Sequence, residues 1–240
     1  MNRKFLALAP ILAASSIIKQ NKKLKVTKTT LDFNNLPDSF NNFKIAQVSD
    51  IHCDKVGLSD LTFLSKIKKF APDIIVITGD ILDSYKNDMD VAYNILSQLS
   101  VIAPCYFISG NHELRLPKEY AELKVMLSKL KITHLHNESI LLNRNQDFIN
   151  LVGVEDYNFF KNEDNLNHRA NFKKTLDNLY SSEYFNILLS HRPEKFPIYA
   201  EAKYDLIFSG HAHGGQWRIP FIGGIFSPSQ GFFPKYTSGC

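Results

Sequence analysis

The stretch Ile-Ile-Val-Ile-Thr-Gly-Asp at residues 74–80 decides how this chain is interpreted. A run of consecutive apolar, β-branched residues is typical of a strand buried on both faces of a parallel sheet. The glycine ends the strand and leaves the carboxylate of Asp80 at its carboxyl end. Ligands bind at that edge of a layered α/β fold, because loops there converge over one crevice. We therefore expect Asp80 to lie at the centre of a binding site.

Four other short apolar runs end in the same way. The predicted strands cover residues 44–49, 74–78, 105–109, 186–190 and 205–209. The polar side chains that follow them are Asp50 and His52, Asp80, Asn111 and His112, His191, and His211 with His213. The carboxyl ends of parallel strands lie at one edge of a sheet, so these side chains are expected to meet at one site.

Helical patterns between the strands indicate the fold class. Amphipathic helices are expected before Pro72, at 88–99 and at 118–130, and crossovers of this length imply parallel strands. Farther along, the runs 133–142 and 148–154 predict a hairpin. Residues 158–167 are interpreted as a polar loop, and a helix is predicted at 172–180. We expect an α/β fold: a two-sheet β-sandwich flanked by helices.

Length and charge narrow the classes of function. A chain of 240 residues fits one sizeable domain. Residues 1–31 hold seven of the 28 basic residues and no acidic residue, so the remainder has 21 basic and 24 acidic residues, a net charge of −3. A nucleic-acid-binding domain would need a basic face of its own, which this composition disfavours.

The basic residues near the N-terminus flank an apolar run at residues 5–18. Fourteen residues are short for a membrane-spanning helix, and they fit a signal-peptide core or an interfacial segment. Five lysines follow the run, and a polybasic patch beside an apolar anchor suits anionic lipid. We expect residues 1–31 to be an anchor or signal segment and residues 32–240 to be the catalytic domain. The cytoplasmic face of the membrane is favoured over export to the cell envelope.

The side chains at the strand ends point to metal chemistry. Imidazoles and carboxylates without thiolates are the ligand set of Mn, Fe, Zn or Co rather than of a structural zinc. The spacing of Asp50 with His52, and of His211 with His213, puts each pair on one side of an extended chain. Each pair therefore serves one ion or straddles two. Two divalent ions about 3.5–4 Å apart would explain the full number of donors and would suit phosphate esters.

The order of these motifs resembles the calcineurin-like metallophosphoesterases. The five elements are Asp50-x-His52, Gly79-Asp80, Gly110-Asn111-His112-Glu113, His191 and Gly210-His211-x-His213. Three segments resemble the membrane-associated bacterial branch, which includes phosphodiesterase-type enzymes and UDP-diacylglucosamine pyrophosphatases. They are Leu36-Pro37, Val48-Ser49-Asp50-Ile51-His52 and Gly214-Gly215-Gln216-Trp217-Arg218-Ile219-Pro220. The resemblance implies an α/β/β/α sandwich. It also implies that a C-terminal edge segment is missing or that the sequence is truncated, because relatives continue beyond the region matching 234–239.

The resemblance also implies a role for each site residue. Asp50, His52, Asp80 and His213 would hold one divalent metal ion. Asp80, Asn111, His191 and His211 would hold the other, so that Asp80 is shared. A metal-bridging hydroxide would act as the nucleophile, and His112 would donate a hydrogen bond or a proton to the phosphoryl or leaving oxygen rather than bind metal.

Several other residues have two interpretations. His134 and His136 share a strand face and suggest a third metal site, but no acidic residue stands beside them at ligand spacing, so a structural or surface role is favoured. Glu113 either orients His112 or a metal ligand, or it is an ordinary acidic residue of a loop. Arg192 and Arg218 either hold a phosphate oxygen or form ion pairs. The aromatic residues of the tail either pack in the core or form an apolar lip for a lipid chain. They are Trp217, Phe221, Phe226, Phe232 and Phe233.

The sequence therefore predicts a metal-dependent hydrolase of a phosphodiester or pyrophosphate bond in a membrane-linked substrate, with manganese, zinc or iron as cofactors. One alternative is a general or cyclic-nucleotide phosphodiesterase with soluble substrates. The other is a non-catalytic metal-binding envelope protein, which the presence of His112 disfavours because no metal needs it. No nucleic-acid partner is expected.

Overall fold

A computed structural model of the chain describes residues 26–53, 62–86, 88–219, 223–237 and 239. Most of the predicted anchor at residues 1–31 lies outside these ranges, as does Phe221. The side chains of Trp217 and Arg218 are also outside the description. None of the helices within the described ranges has the length and hydrophobicity needed to cross a bilayer.

The described residues form seven α-helices, which are joined mostly by short loops. They are α1 (Thr62–Phe70), α2 (Met89–Ser100), α3 (Asn111–Arg115), α4 (Pro117–Lys129), α5 (Tyr157–Glu163), α6 (His168–Leu179) and α7 (Phe196–Glu201). The 3₁₀ turns are Asp38–Phe40 and Pro193–Lys195. Asp88 caps the N-terminus of α2 by accepting a hydrogen bond from the Val91 amide, and the helix begins at the next residue, Met89.

The strands form three sheets. They are β1 (Ile45–Val48), β2 (Ile74–Ile77), β3 (Cys105–Phe107), β4 (Thr133–His134), β5 (Glu138–Arg144), β6 (Asp147–Gly153), β7 (Phe185–Leu189), β8 (Leu206–Phe208), β9 (Trp217–Ile219), β10 (Gly223–Ser227) and β11 (Gly231–Phe232). The first sheet is parallel, in the order β1-β2-β3-β4. The second has the order β5-β6-β7-β8, with only the β5–β6 pair antiparallel. The small third sheet, β11-β10-β9, is antiparallel.

Alternating residues of β2 show how the layers stack. Ile74 and Val76 face a core shared with β6 and β7 of the second sheet. Ile75 and Ile77 face the opposite way, into a core formed with α1, α2 and α4. On the far side of the second sheet, Leu188 packs against α5, α6 and α7. The predicted α/β fold, two sheets between two layers of helices, is therefore confirmed.

Two segments differ from the predictions. The run 133–142 is not one hairpin strand, because it is divided between β4 of the first sheet and β5 of the second. Asn137 adopts a left-handed backbone (φ 57°) at the crossing, a conformation that asparagine tolerates. Residues 158–167 are not entirely a polar loop, because helix α5 covers the first six of them, up to Glu163. Its capping residue Asp156 accepts a hydrogen bond from the Asn158 amide, and Phe160 is buried.

The two large sheets place their loops at a common seam. Gln47 on β1 donates a hydrogen bond to the Ser209 carbonyl after β8, at 2.8 Å, and another to Thr78 Oγ1, at 2.9 Å. The carboxyl ends of β1, β2 and β3 therefore lie beside those of β7 and β8. All of the predicted site residues follow these five strands.

Candidate metal centre

Most of the predicted ligands have an unusual backbone conformation. Five of the seven have a positive φ, between 49° and 63°: Asp50, His52, Asp80, His211 and His213. Residues other than glycine seldom adopt this left-handed region, and such outliers concentrate at functional sites. The turn after each strand thus points a polar side chain into the seam between the sheets.

One group of donors lies toward the solvent. His213 Nε2 is 3.6 Å from Asp50 Oδ1 and 3.3 Å from His52 Nε2. The rings of the two histidines are stacked, with centroids 5.0 Å apart. Three potential ligand atoms, one from each residue, lie within 4.8 Å of one another. Such a group is compact enough to surround a single cation.

A second group is buried. His191 Nε2 lies 3.2 Å from Asp80 Oδ2, and both side chains are almost completely shielded from solvent. His191 Nδ1 is 2.7 Å from the Thr78 carbonyl, so this nitrogen donates a proton there, and Nε2 is the ring nitrogen that faces Asp80. One potential ligand atom from each of Asp80, His191 and His211 lies within 4.8 Å of the others.

Asp80 stands between the two groups. Its Oδ1 accepts a hydrogen bond from the His112 amide at 2.8 Å. Its Oδ2 lies 3.2 Å from His191 Nε2 and 4.0 Å from His52 Nε2. One carboxylate oxygen therefore faces a histidine of each group.

Two buried atoms fit the metals that this donor set suggests. Among the described residues, Asn111 Oδ1 and His191 Nε2 are buried and have no hydrogen-bond partner. A buried polar atom without a partner is costly unless something else binds it. Asn111 Oδ1 and the deprotonated form of His191 Nε2 both offer a lone pair suited to a divalent cation, and they belong to two of the predicted ligands. The residues present therefore fit a metal centre.

Electrostatics favour the same conclusion. Burial opposes the charge on Asp80, but the neighbouring His191 holds the pKa of this carboxyl below its usual range. Burial also disfavours a charged His191, while the carboxylate of Asp80 raises the pKa of His191 to about 10. The buried carboxylate thus attracts positive charge strongly. A divalent cation would supply that charge in place of the proton.

His211 has one ring nitrogen directed away from the site. His211 Nε2 is 2.9 Å from Ser229 Oγ and 3.2 Å from Arg192 Nη1, and Arg192 Nη1 also donates a hydrogen bond to Ser229 Oγ at 2.9 Å. An Nε2–H that donates to Ser229 leaves the Nδ1 lone pair available for a cation. Burial lowers the pKa of His211 to about 2, which keeps the imidazole neutral and able to bind metal.

His112 lies beside both groups, and its hydrogen bonds define its proton. The Ser84 amide donates to His112 Nδ1 at 3.0 Å, so Nδ1 accepts and the neutral ring carries its proton on Nε2. Burial lowers the pKa of His112. The ring centroid is 4.5 Å from that of His52. One potential ligand atom from His112 lies within 4.8 Å of those from His52 and Asp80, so geometry alone does not separate a donor from a ligand.

Glu113 has a role that its position in the sequence left open. It is completely buried, and it accepts hydrogen bonds from the backbone amides of Asp80, Leu82 and Gly110 at 2.7–2.9 Å. These contacts join the loop after β2 to the start of α3. Burial and the nearby charge of Asp80 raise the pKa of Glu113 to about 7. Glu113 is thus not an ordinary loop acid but a residue that positions two ligand-bearing loops.

Close backbone packing in the same place explains two of the glycines. Gly79 has φ 91°, and a Cβ there would lie 2.5 Å from the Gly110 nitrogen. A Cβ on Gly110 would collide with the Asp80 carboxylate. Glycine at both positions lets the two loops approach closely enough to bring Asp80 beside Asn111.

The remaining candidates divide. Arg192 Nε donates to Asp156 at 2.7 Å, so its interpretation as an ion-pairing residue fits the structure. His134 and His136 are not isolated from acidic residues, because both lie against the buried carboxylate of Glu155. Residue spacing could not predict this contact, since Glu155 follows a different strand, β6.

Comparisons with known proteins place the chain among its relatives. The family model described as calcineurin-like phosphoesterase matches residues 43–215. The chain is 29% identical to the Bos taurus protein named transmembrane protein with metallophosphoesterase domain, over 95% of this chain and 55% of that protein. It thus spans about half the length of that relative. It is 30% identical to the uncharacterized metallophosphoesterase YkuE of Bacillus subtilis (strain 168), over 90% of this chain and 73% of that protein.

Among solved structures, the chain is similar to phosphopantetheinyl hydrolase (PptH) from Mycobacterium tuberculosis. The sequence identity is 15% and the TM-score is 0.42, over 65% of this chain and 71% of that chain. The family match extends from β1 to the loop that carries His211 and His213, and so includes every predicted ligand. The family prediction is confirmed, whereas the membrane-associated bacterial branch stays a prediction. This chain belongs to the calcineurin-like phosphoesterases, a family of metal-dependent phosphoesterases.

Proposed function

We propose that this protein hydrolyses a phosphodiester or pyrophosphate bond in a membrane-linked substrate, using two divalent metal ions. Asp50, His52, Asp80 and His213 would hold one ion, and Asp80, Asn111, His191 and His211 the other. The observation that carries the proposal is the position of Asp80. Its Oδ2 lies between His191 and His52, which belong to the two groups of donors.

The bound cations and the protein's own residues would have separate roles around the reacting phosphate. The bound cations would supply Lewis acidity and a deprotonated water at neutral pH. His112, with its proton held on Nε2 by the Ser84 amide, would donate to the phosphoryl or leaving oxygen. Glu113 would keep the two loops in register, so that the donor stays aligned with Asp80.

The surface beside the site supports an apolar substrate group. Ser229, which contacts His211, lies between β10 and β11. On the same hairpin and just after it, Phe232 and Phe233 are 68% and 78% exposed. The core interpretation of these two aromatic residues is therefore wrong. Exposed aromatic side chains on the hairpin that also carries Ser229 suit a substrate that has a lipid chain next to its phosphate.

The N-terminal segment supports the same proposal. Residues 1–31 would be an apolar and basic anchor to an anionic membrane surface, and residues 32–240 the phosphoesterase domain. The cytoplasmic face is the proposed side. The Bos taurus relative is named a transmembrane protein, which is consistent with activity at a membrane but describes that relative.

The experiment that tests the proposal compares two substrates. The full chain, supplied in turn with Mn²⁺, Zn²⁺ and Fe²⁺, is assayed on an aryl phosphodiester and on a lipid-linked pyrophosphate in anionic vesicles. We expect hydrolysis of both, with a lower KM for the lipid-linked substrate. The variant Phe232→Ser/Phe233→Ser should raise KM for the lipid-linked substrate only, because the small substrate does not reach these side chains.

Each other outcome has a defined meaning. Equal preference for both substrates, unchanged by the Phe232 and Phe233 substitutions, would favour a general or cyclic-nucleotide phosphodiesterase. Metal binding without turnover on either substrate would favour a non-catalytic metal-binding protein. Absence of metal binding would contradict the proposal as a whole.

A further inference from the structure

A second cluster of metal-binding side chains lies outside the site described above. His134, His136 and Glu155 place one potential ligand atom each within 4.8 Å of the others. His134 ends β4, and Glu155 follows β6. The cluster therefore lies on the same seam between the two sheets, beyond β3 in the first sheet and beyond β7 in the second.

We propose that His134, His136 and Glu155 form a third, mononuclear site for a transition-metal ion, with Zn²⁺ as the preferred ion. His134 Nε2 lies 3.4 Å from Glu155 Oε1, and His136 Nδ1 is in close contact with the same oxygen. Ligands around a tetrahedral zinc ion with bonds of about 2.0–2.2 Å are separated by roughly 3–3.5 Å, which small side-chain adjustments here would reach.

The carboxylate at the centre of the cluster is held in place as metal ligands usually are. Glu155 is completely buried, and Ser109 Oγ donates to its Oε2. The Tyr120 hydroxyl donates to Oε1 at 2.7 Å and lies 3.1 Å from His134 Nε2. Outer partners of this kind fix the orientation of a ligand. The Glu155 amide also donates to Asn137 Oδ1 at 3.0 Å, which fixes the backbone.

The charge of the cluster also calls for a cation. Within the described residues, the buried carboxylate of Glu155 forms ion pairs with the two histidines rather than with a lysine or an arginine. Either a protonated histidine or a divalent ion must balance this buried charge.

The donor set identifies the class of ion. Two imidazoles and one carboxylate suit Zn²⁺ and its first-row neighbours, whereas Mg²⁺ and Ca²⁺ prefer oxygen ligands. The side chain of His136 is 46% exposed, so the cluster opens to solvent on one side. A water molecule can complete a tetrahedral site there, and the ion can enter without unfolding of the chain.

The decisive experiment removes the principal site and measures what remains. In the full chain, Asp50→Asn, Asp80→Asn and His211→Asn remove the charges and one imidazole of that site, and asparagine tolerates the left-handed backbone at each position. Calorimetric titration with Zn²⁺ should then show one remaining site per chain. Co²⁺ should give the visible absorption of a tetrahedral complex.

Further substitutions assign that remaining site. Adding His134→Gln and His136→Gln should abolish the Zn²⁺ heat and the Co²⁺ spectrum, whereas adding His168→Gln, at a histidine on α6 that belongs to neither cluster of potential ligands, should change neither. Tyr120→Phe should weaken Zn²⁺ binding about tenfold, as loss of an outer partner does. No remaining Zn²⁺ binding, or binding unaffected by the His134 and His136 substitutions, would overturn the proposal.

A second measurement applies if the multiple variant does not fold. Wild-type protein and the single variants His136→Gln and His168→Gln are saturated with Zn²⁺, desalted and analysed for metal content. We expect three ions per chain in the wild type and in His168→Gln, and two in His136→Gln. Equal content in all three would contradict the third site while leaving the proposed dinuclear function intact.

Discussion

At the scale of single residues, the two oxygens of Asp80 have different roles. Oδ1 accepts a hydrogen bond from the His112 amide, and Oδ2 faces His191 and His52. The first role needs only an acceptor, whereas the second needs negative charge. The substitution Asp80→Asn keeps an acceptor oxygen and removes the charge, so it tests the second role alone.

We expect Asp80→Asn to fold normally and to lose hydrolysis by about 10³-fold, or ~4 kcal/mol of activation free energy. Asparagine tolerates φ 53°, so the loop should keep its shape. Metal content and turnover on an aryl phosphodiester are measured together. Asp177→Asn, which removes an exposed carboxylate on α6 paired with Lys173, is the control and should lose neither. Full metal content with wild-type turnover in Asp80→Asn would contradict the role of Asp80.

The His112 prediction separates a proton donor from a ligand. We expect His112→Gln to lower kcat by about 10²–10⁴-fold, the usual contribution of a positioned acid, with little change in metal content. Metal analysis and steady-state kinetics of the same preparation check this. His168→Gln is the matched control. Loss of one metal ion from His112→Gln would show instead that His112 is a ligand.

At the scale of elements, α5 shows that a mostly polar segment can form a helix that packs against the core. Its segment has few apolar residues, but Phe160 is buried and contacts Phe172 of α6, with ring centroids 5.1 Å apart. A short helix needs only one or two buried side chains when a neighbouring element supplies the rest of the contact. The helix is therefore stabilised by tertiary packing more than by its own sequence.

We predict that Phe160→Ala lowers the free energy of unfolding by about 3–5 kcal/mol, because it leaves a cavity between α5 and α6. Lys161→Ala, at an exposed position of the same helix, should change it by less than about 0.5 kcal/mol. Urea denaturation of both variants measures the difference. Similar stabilities for the two variants would show that α5 does not contribute to the core.

The elements differ in how far the sequence predicted them. The buried runs that form β2 and β3 are apolar without interruption, and β7 is apolar except for Asn186. The prediction of each strand was correct to within a residue or two. β4 has only two residues, too few for a periodic pattern, and so it was merged with β5. The contacts between Glu155 and the two histidines join residues from different sheets, and residue spacing carries no information about such contacts.

At the scale of the whole molecule, Glu155 joins the two sheets. Its carboxylate follows β6 of the second sheet and binds Ser109, which follows β3 of the first sheet, and Tyr120 of α4. The link is buried and charged, so it contributes most when the carboxylate is ionised and its donors are in place. Its contribution should depend on pH.

We predict that the link stabilises the metal-free protein above about pH 4.5 and that its contribution is lost as the pH falls towards 2. The pKa of Glu155 is about 2 in the folded chain, below the ordinary value of 4.5, so protonation favours the unfolded state. The free energies of unfolding of wild type and Glu155→Gln are compared from pH 7 to pH 3 in the presence of a chelator. The difference between them should shrink with acidity, and a constant difference would contradict this assignment.

The left-handed residues at the strand ends have a consequence for how this domain can change. Each non-glycine residue in that conformation costs about 1–2 kcal/mol, and five of the proposed ligands bear this cost. Glycine at any of these places would relax the main chain while deleting a donor. Random mutagenesis followed by selection for thermostability alone should therefore favour glycine at these turns, and the selected variants should lose metal ligands and hydrolytic activity. Thermostable forms of this domain will have to gain their robustness elsewhere, in the helical layers and the outer loops.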